Sequence, residues 1–366
     1  MIDFRYHLVS LISVFLALAL GILLGAGPLN ETIGDQLTGQ VEDLRTDRDR
    51  LRTELELSRA DAENRDVFIA AVAPDVVGSR LEGRAVAVVS LPGAEEDDVA
   101  DVRARIEQSG ATVSAEVAVT PAWTDPETDT FRSSFAGQLL GYLAPAPEGD
   151  ASTDAILGAA LGQALTATDA TGGLTVEAET LLDLLASADD PLVSVVEGPA
   201  GPANATVLVA PRTEPLPEAQ DESGDAGEEE DTAAAQTVTS AHVSLAQALS
   251  GTGEGSVVIG AAVTDLDLVT AVRADGDVAA VVTTVDSVAD VTGRVSVPLA
   301  LAADISGDNG HYGFGVGAEQ PVPESVYLAP PAPPEPEPAP TDAPAPTGEP
   351  TEAAATEAPT ETGQDG

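Results

Sequence analysis

The run ADISGDNGHYGFG holds the nearest approach to a ligand set in this sequence: Asp304, Asp308, Asn309 and His311. Carboxylate oxygens and one imidazole suit a hard or borderline cation, so Asp304, Asp308 and His311 stand as the candidate metal ligands. The spacing misses the EF-hand loop, with no glycine at the sixth position and no closing acid, and the run also reads as a glycine-rich turn after a helix. Soft ligands for monovalent copper are missing, because the chain has no cysteine and its one methionine is Met1.

Nucleophilic chemistry has little to draw on. Without cysteine there is neither thiolate nor disulfide framework. No G-x-S-x-G elbow occurs, and only three histidines are present to serve a triad: His7 near the start, His242 on an apparent helix, and His311 in the glycine-rich run. Ser90-Leu91-Pro92-Gly93 ends a strand-like run, and Glu95, Glu96, Asp97 and Asp98 follow where doubly wound sheets bind ligands. Four acids there repel a phosphate and instead complement a helix N-terminus. Gly251, Gly253 and Gly255 precede a strand rather than follow one, which fails the dinucleotide context. No catalytic site is expected, and the chain reads as a non-enzyme.

Charge narrows the partners. The 366 residues include 62 acidic and 15 basic residues, all fifteen Arg, for a net charge of -47. Such a chain avoids nucleic acid, whose phosphates need the opposite sign, and anionic lipid surfaces for the same reason. Aromatic content of 3% leaves a core of Ala, Val, Gly and Leu.

The elements that would position any site begin with an anchor. No Asp, Glu or Arg occurs between Arg5 and Glu31, and the run from Leu8 to Pro28 is long enough for a helix spanning about 30 Å of hydrocarbon. A cleaved signal peptide is the rival, but the apolar run is long and Asp3 offsets Arg5. Residues 1–30 therefore read as a cytoplasmic end and one transmembrane helix. Asp3, Arg5, Tyr6 and His7 stand at the membrane entry, and the positive-inside rule puts everything after Pro28 outside the cytoplasm. Ala17, Gly21 and Gly25 recur every four residues and suit close packing of two such helices.

Residues 31–78 read as a short coiled-coil stalk. Leu37, Val41, Leu44, Leu51 and Leu55 form an a/d seam in which Arg48 and Ser58 are imperfect occupants. Seam and small-residue face together predict a parallel homodimer. A turn at Pro74 to Gly78 should end the stalk.

Residues 79–328 alternate strand-like and helix-like runs, beginning with a βαβ unit over Arg84 to Val89, Asp97 to Gln108 and Thr112 to Val119. The alternation predicts an α/β domain with a mostly parallel sheet covered by helices on both faces. A strand is expected at Val278 to Thr283 and a helix at Val288 to Ala302. Residues 213–235, rich in Asp, Glu, Gly and Pro, read as a disordered acidic insertion, and residues 329–366 as a disordered, acidic, Pro-rich tail.

Two stretches resemble a known family. IDFRYHLVSLISVFLALALGILLG at the start, and VVTTVDSVADVTGRVSVPLAL with GHYGFGVGAEQPVPE near the end, are similar to the actinobacterial copper transporter family, the mycobacterial copper-transport-protein-B (MctB) family, which also includes a corynebacterial cell-separation protein. The resemblance implies a single-pass cell-envelope protein with a role in copper homeostasis. In the other branch it implies partnering of a cytoplasmic or membrane protein during cell separation; joined to the seam, this leaves a dimeric envelope scaffold for cell separation and wall remodelling as the alternative reading. It also marks Thr284, Val285, Asp286, Gly310, Tyr312, Gly313 and Gly315 as the C-terminal motif. Ordinary roles for these are an N-cap at Asp286 and tight turns at the glycines.

Overall fold

The computed structural model describes residues 3–25, 28–147, 149, 151–188, 190–212 and 226–331. The chain opens with α1 (Asp3–Gly25), whose segment Phe4–Leu23 is long and apolar enough to cross a membrane and is not buried by any of the described residues. Helix α2 (Pro28–Val77) follows, and its residues 39–68 are exposed throughout. Only its last turns dock: Ala73 and Val77 are buried against Val291, Val295 and Leu299, with Ile69 and Ala70 partly covered.

That docking overrides the expected turn at Pro74. The helix runs through Pro74 to Val77, and Gly78 N–H still donates to the Pro74 carbonyl at 3.0 Å. Proline removes one backbone donor, but the apolar contacts on either side of it hold the helix in register.

The body is a seven-stranded sheet in the order β3-β2-β1-β4-β5-β6-β7. Its strands are β1 (Ala85–Ser90), β2 (Thr112–Val119), β3 (Val193–Glu197), β4 (Ala205–Val209), β5 (Gly255–Ile259), β6 (Thr283–Val285) and β7 (His311–Tyr312). All neighbours pair parallel except β2 with β3. The central strands are buried on both faces, which explains why AVAVV, ATVLV and GSVVI read as near-continuous runs rather than alternating ones, with the buried Thr206 and Ser256 hydroxyls bonded to each other.

Helices cover both faces. One face packs α3 (Glu96–Gln108) and α10 (Val291–Ile305), whose buried Val102, Ile106, Val297 and Leu301 meet Val86, Val88 and Val207. The other packs α4 (Asp129–Leu139), α5 (Thr153–Thr166), α6 (Val176–Ser187), α7 (Ala226–Ser250) and α8 (Leu268–Ala274) around Trp123 and Leu161. Helix α5 approaches α7 closely because Gly158 and Gly162 lack side chains; a Cβ there would lie 2.7 Å from Ala248 Cβ and from Thr252 Oγ1 respectively.

Two further readings are corrected. Where a strand was expected at Val278 to Thr283, the chain forms the short helix α9 (Gly276–Ala279), and β6 begins at Thr283. The Asp275 carboxylate caps that turn by accepting from Asp277 N and Val278 N at 3.0 and 3.3 Å, so a local cap outweighs the β-propensity of the valines. Helix α7 begins at Ala226, inside the stretch read as an unstructured insertion, and residues 213–225 of that stretch lie outside the described residues. Of the tail, residues 332–366 also lie outside them, while the Ala329 carbonyl accepts from Arg84 Nη1 at 3.0 Å.

Burial in this core has a pH consequence. His242 on α7 is buried with Nε2 unpartnered, and desolvation pushes its imidazole from 6.5 down to about 4. Below the ordinary value the unfolded chain takes up a proton that the folded chain refuses. Stability is therefore full above about pH 6.5 and falls by about 3 kcal/mol as the pH drops toward 4. Denaturant midpoints across this window should decline for the natural chain and decline less for His242→Leu. Titration of surface acids is shared by both chains, so their difference is the readout.

Candidate functional site

The strand order reverses between β1 and β4, and the carboxyl ends of β4, β5 and β6 open onto a cleft of about 270 Å³. Open α/β sheets bind ligands at this edge. The cleft is walled by Arg212 after β4, Ala262 and Val263 after β5, Ser287 and Asp290 after β6, and Phe314 from the loop after β7.

Its floor is Asp286, the residue next to β6, whose carboxylate is 1 % exposed. It accepts from Arg273 Nη1 at 3.0 Å, Ser287 Oγ at 2.7 Å, Phe314 N at 2.9 Å and Gly315 N at 2.7 Å. Burial pushes this carboxyl up, but the two backbone N–H groups, the serine and the guanidinium outweigh burial and hold it below the ordinary carboxylate range. Arg273, on α8, also donates to Thr284 Oγ1 at 2.9 Å and to the carbonyls of Tyr312 and Val316 at 2.8 and 2.9 Å. One buried ion pair thus ties α8, β6, β7 and the 313–316 loop together.

The glycines of the motif serve this knot. Gly313 has φ +125, and a Cβ there would fall on the Asp286 carboxylate. Gly315 packs where a Cβ would lie 2.7 Å from Ala262 Cβ. Ser287 sits in the left-handed region at φ 64, a conformation rare outside glycine and concentrated at functional edges.

A second buried group lies behind the cleft. Asp98, in the first turn of α3, is 2 % exposed and receives Arg212 through Nε and Nη2 at 2.5 and 2.6 Å, and Arg294 Nη1 at 3.0 Å. The acidic run after β1 therefore does more than complement a helix end: one of its four acids anchors two arginines from distant parts of the chain.

The expected metal ligands do not converge. Asp304, in the last turn of α10, accepts from Thr283 Oγ1 at 2.5 Å and Ser256 N at 2.8 Å, which stitches that helix to β5 and β6. His311 lies in β7 rather than in a loop, with Nδ1 2.9 Å from Thr284 Oγ1. Asp308 is exposed on a separate shallow pocket with Asn309, Tyr312, Gln320 and Glu324. Among the described residues, no group of three or more His, Cys, Asp or Glu is placed to hold a metal ion. Asp286 is likewise not the cap of α10, whose N-cap position is Asp290; its lone pairs go to the 314–315 backbone instead. Thr284, Val285, Asp286, Gly310, Tyr312, Gly313 and Gly315 do come together, at and beside the ends of β6 and β7.

Along the first two helices the expected positions are strung out rather than gathered. Arg5, Tyr6 and His7 lie on the exposed start of α1, with the Asp3 side chain outside the described residues. Ala17, Gly21 and Gly25 are on α1 with open space at both glycines. Val41, Leu44, Leu51 and Leu55 are exposed along α2, and the Leu37 side chain lies outside the described residues.

Sequence reading missed Arg273, Arg212 and Arg294. The available signal was scarcity: with fifteen arginines in the chain, one inside LVTAVRA and one inside VTGRVSVPLAL interrupt apolar helix faces, where a guanidinium must be paired.

Chemically, the floor of the cleft is spent, because Asp286 and Arg273 satisfy each other and their neighbours. The rim is more open: Phe314 and Val263 are exposed, and Arg212, though held by Asp98, stays half-exposed, which suits a contact surface more than proton transfer.

Comparison with known proteins places most of the chain in one family. Residues 1–323 match the family model described as copper transport outer membrane protein, MctB. Proteins named copper transporter MctB from Mycobacterium tuberculosis (strain H37Rv) and Mycobacterium bovis are each 32% identical over 324 residues, covering 87% of this chain and 98% of theirs. The protein of that name from Mycobacterium leprae is 30% identical over 348 residues, with the same coverage. From the apolar helix through the Asp286 knot, this chain belongs to the MctB family.

Proposed function

We propose that this chain supports copper homeostasis at the cell envelope as a membrane-anchored, two-copy adaptor that neither catalyses a reaction nor forms a conduit by itself. Helix α1 crosses the cell membrane with its N-terminus in the cytoplasm, α2 pairs with a second copy as a parallel coiled-coil stalk, and the extracytoplasmic domain offers its cleft to the assembly that moves the ion. The names of the relatives support the copper role. One observation carries the adaptor reading: among the described residues one helix is apolar enough to span a membrane, and it leads into a stalk whose residues 39–68 stand exposed, so the domain is held away from the anchor. Copper enters as cargo of that assembly, and the Asp286 knot keeps the rim of Phe314 and Arg212 in shape to receive a protein partner.

In a host stripped of its own family member, expression of the full chain should lower copper retained by the cells and raise the copper concentration that stops growth. Unchanged copper content at normal membrane levels of the chain would contradict the reading. A second reading, a scaffold that recruits a cytoplasmic or membrane partner in cell separation and wall remodelling, draws on the same exposed stalk. Its mark would be unseparated daughter cells in the stripped host at normal copper content.

A further inference from the structure

Helix α2 carries a second pattern beside its seam. With Val41, Arg48 and Leu55 at a, and Leu44, Leu51 and Ser58 at d, the three heptads of residues 41–61 place Arg45, Arg52 and Arg59 at e. The g positions of the same heptads are Asp47, Glu54 and Asp61. All e residues are cationic and all g residues anionic.

Between two parallel helices in register, each g residue faces the e residue five positions further along the other copy. Asp47 then meets Arg52 of the second copy, and Glu54 meets Arg59 of the second copy, with each contact made twice. In an antiparallel pair e faces e and g faces g, which sets Arg against Arg and acid against acid.

The single chain leaves this pattern unsatisfied. Arg48 pairs with Asp49 at 2.7 Å, and Arg50 pairs with Asp47 and Glu54 at 3.4 and 3.0 Å. Among the described residues, Arg45, Arg52 and Arg59 have no ion pair, although α2 offers acids on either side of each. The intrahelical pairs are more than half exposed and easily shared, so they do not compete strongly with contacts to a second copy. Between the two charged rows runs a groove lined by Leu44, Asp47, Arg48, Leu51, Arg52 and Leu55. That is a seam with its g and e flanks, left exposed by the described residues. Arg48 at a adds a polar seam position of the kind that costs stability and fixes register.

We infer that the e-row arginines and g-row acids of α2 select a parallel, in-register pairing of two copies of this chain and reject the antiparallel one. This rests on the self-association proposed above and specifies what directs it.

The absence of native cysteine makes the test clean. Full-length chains carrying Leu44→Cys or Leu55→Cys, oxidised in the membrane, should each cross-link like with like. A mixture of the two should give few mixed cross-links. In the Leu44→Cys background, Arg45→Glu/Arg52→Glu/Arg59→Glu and, separately, Asp47→Arg/Glu54→Arg/Asp61→Arg should each cut cross-linked homodimer by about tenfold. Co-expression of the two inverted chains should restore it as a heterodimer. Like-with-like cross-links that persist through either inversion would overturn the charge rule while leaving self-association standing. Mixed Leu44→Cys with Leu55→Cys products in place of like-with-like ones would also overturn it. No cross-link in either parent would overturn both.

Discussion

Asp286→Ala should cost about 3–5 kcal/mol of stability, because it strands a buried cation. The Arg273 guanidinium is 2 % exposed and forms its salt bridge with Asp286 at 3.0 Å. Two backbone N–H groups, of Phe314 and Gly315, lose their acceptor in the same stroke. Asp286→Asn keeps the shape and one acceptor oxygen and should lose less. Urea unfolding of the full chain in detergent, followed by circular dichroism, gives the comparison. A loss under about 1 kcal/mol for the alanine variant would mean that the 313–316 loop is not held by this carboxylate. Because the same residue shapes the cleft, the variant should also lose copper control at temperatures where it stays folded.

Gly313→Ala should be of comparable size by a different route. The added methyl group occupies the place of the Asp286 carboxylate, and φ +125 is a conformation that only glycine adopts without strain. The two mechanisms separate in a double-mutant cycle. In the Asp286→Ala background the steric conflict is gone, so Gly313→Ala should add only its conformational cost of about 1–3 kcal/mol. Full additivity of the two losses would show that the glycine is required for the turn alone. A clear shortfall would show that it is also required to admit the carboxylate.

Much of the fold is legible because the strands announce themselves. AVAVV, ATVLV and GSVVI are near-continuous β-branched and apolar runs bounded by turn residues, and β2 occupies the range its composition suggests, Thr112–Val119. Strand order is not legible, since a run of valines does not say which neighbour it pairs with. The reversal that places β4 beside β1 depends on connections more than 100 residues long. Pro74 misleads for a related reason: a local breaker signal loses to the burial of Ala73 and Val77 against α10, which is far off in sequence. The two residues of β7 are too short for any periodicity, so His311 reads as loop when it is an edge of the sheet.

The site is less legible than the fold. Asp286 and its glycines stand out through family resemblance, yet the partner that explains them, Arg273, lies in another element, and its link to Asp286 is a tertiary contact. Asp98 meets Arg212 and Arg294 across 114 and 196 residues, distances over which neither periodicity nor spacing carries information. The same blindness makes Asp304, Asp308 and His311 look like a ligand set. They are near in sequence, but Asp304 turns to β5 and β6, His311 to Thr284, and Asp308 to solvent.

The adaptor reading ties copper control to the pairing of two stalks, which one measurement addresses directly. Cell-associated copper is measured in a host lacking its own family member, with the natural full chain or with Leu44→Asp/Leu51→Asp expressed to the same membrane level. Charges at two seam positions break the pairing and leave the anchor and the domain intact, since both leucines are exposed on α2. The account predicts that the natural chain lowers copper and that the variant leaves it at the level of the untreated host. A variant that lowers copper as well as the natural chain does would contradict it.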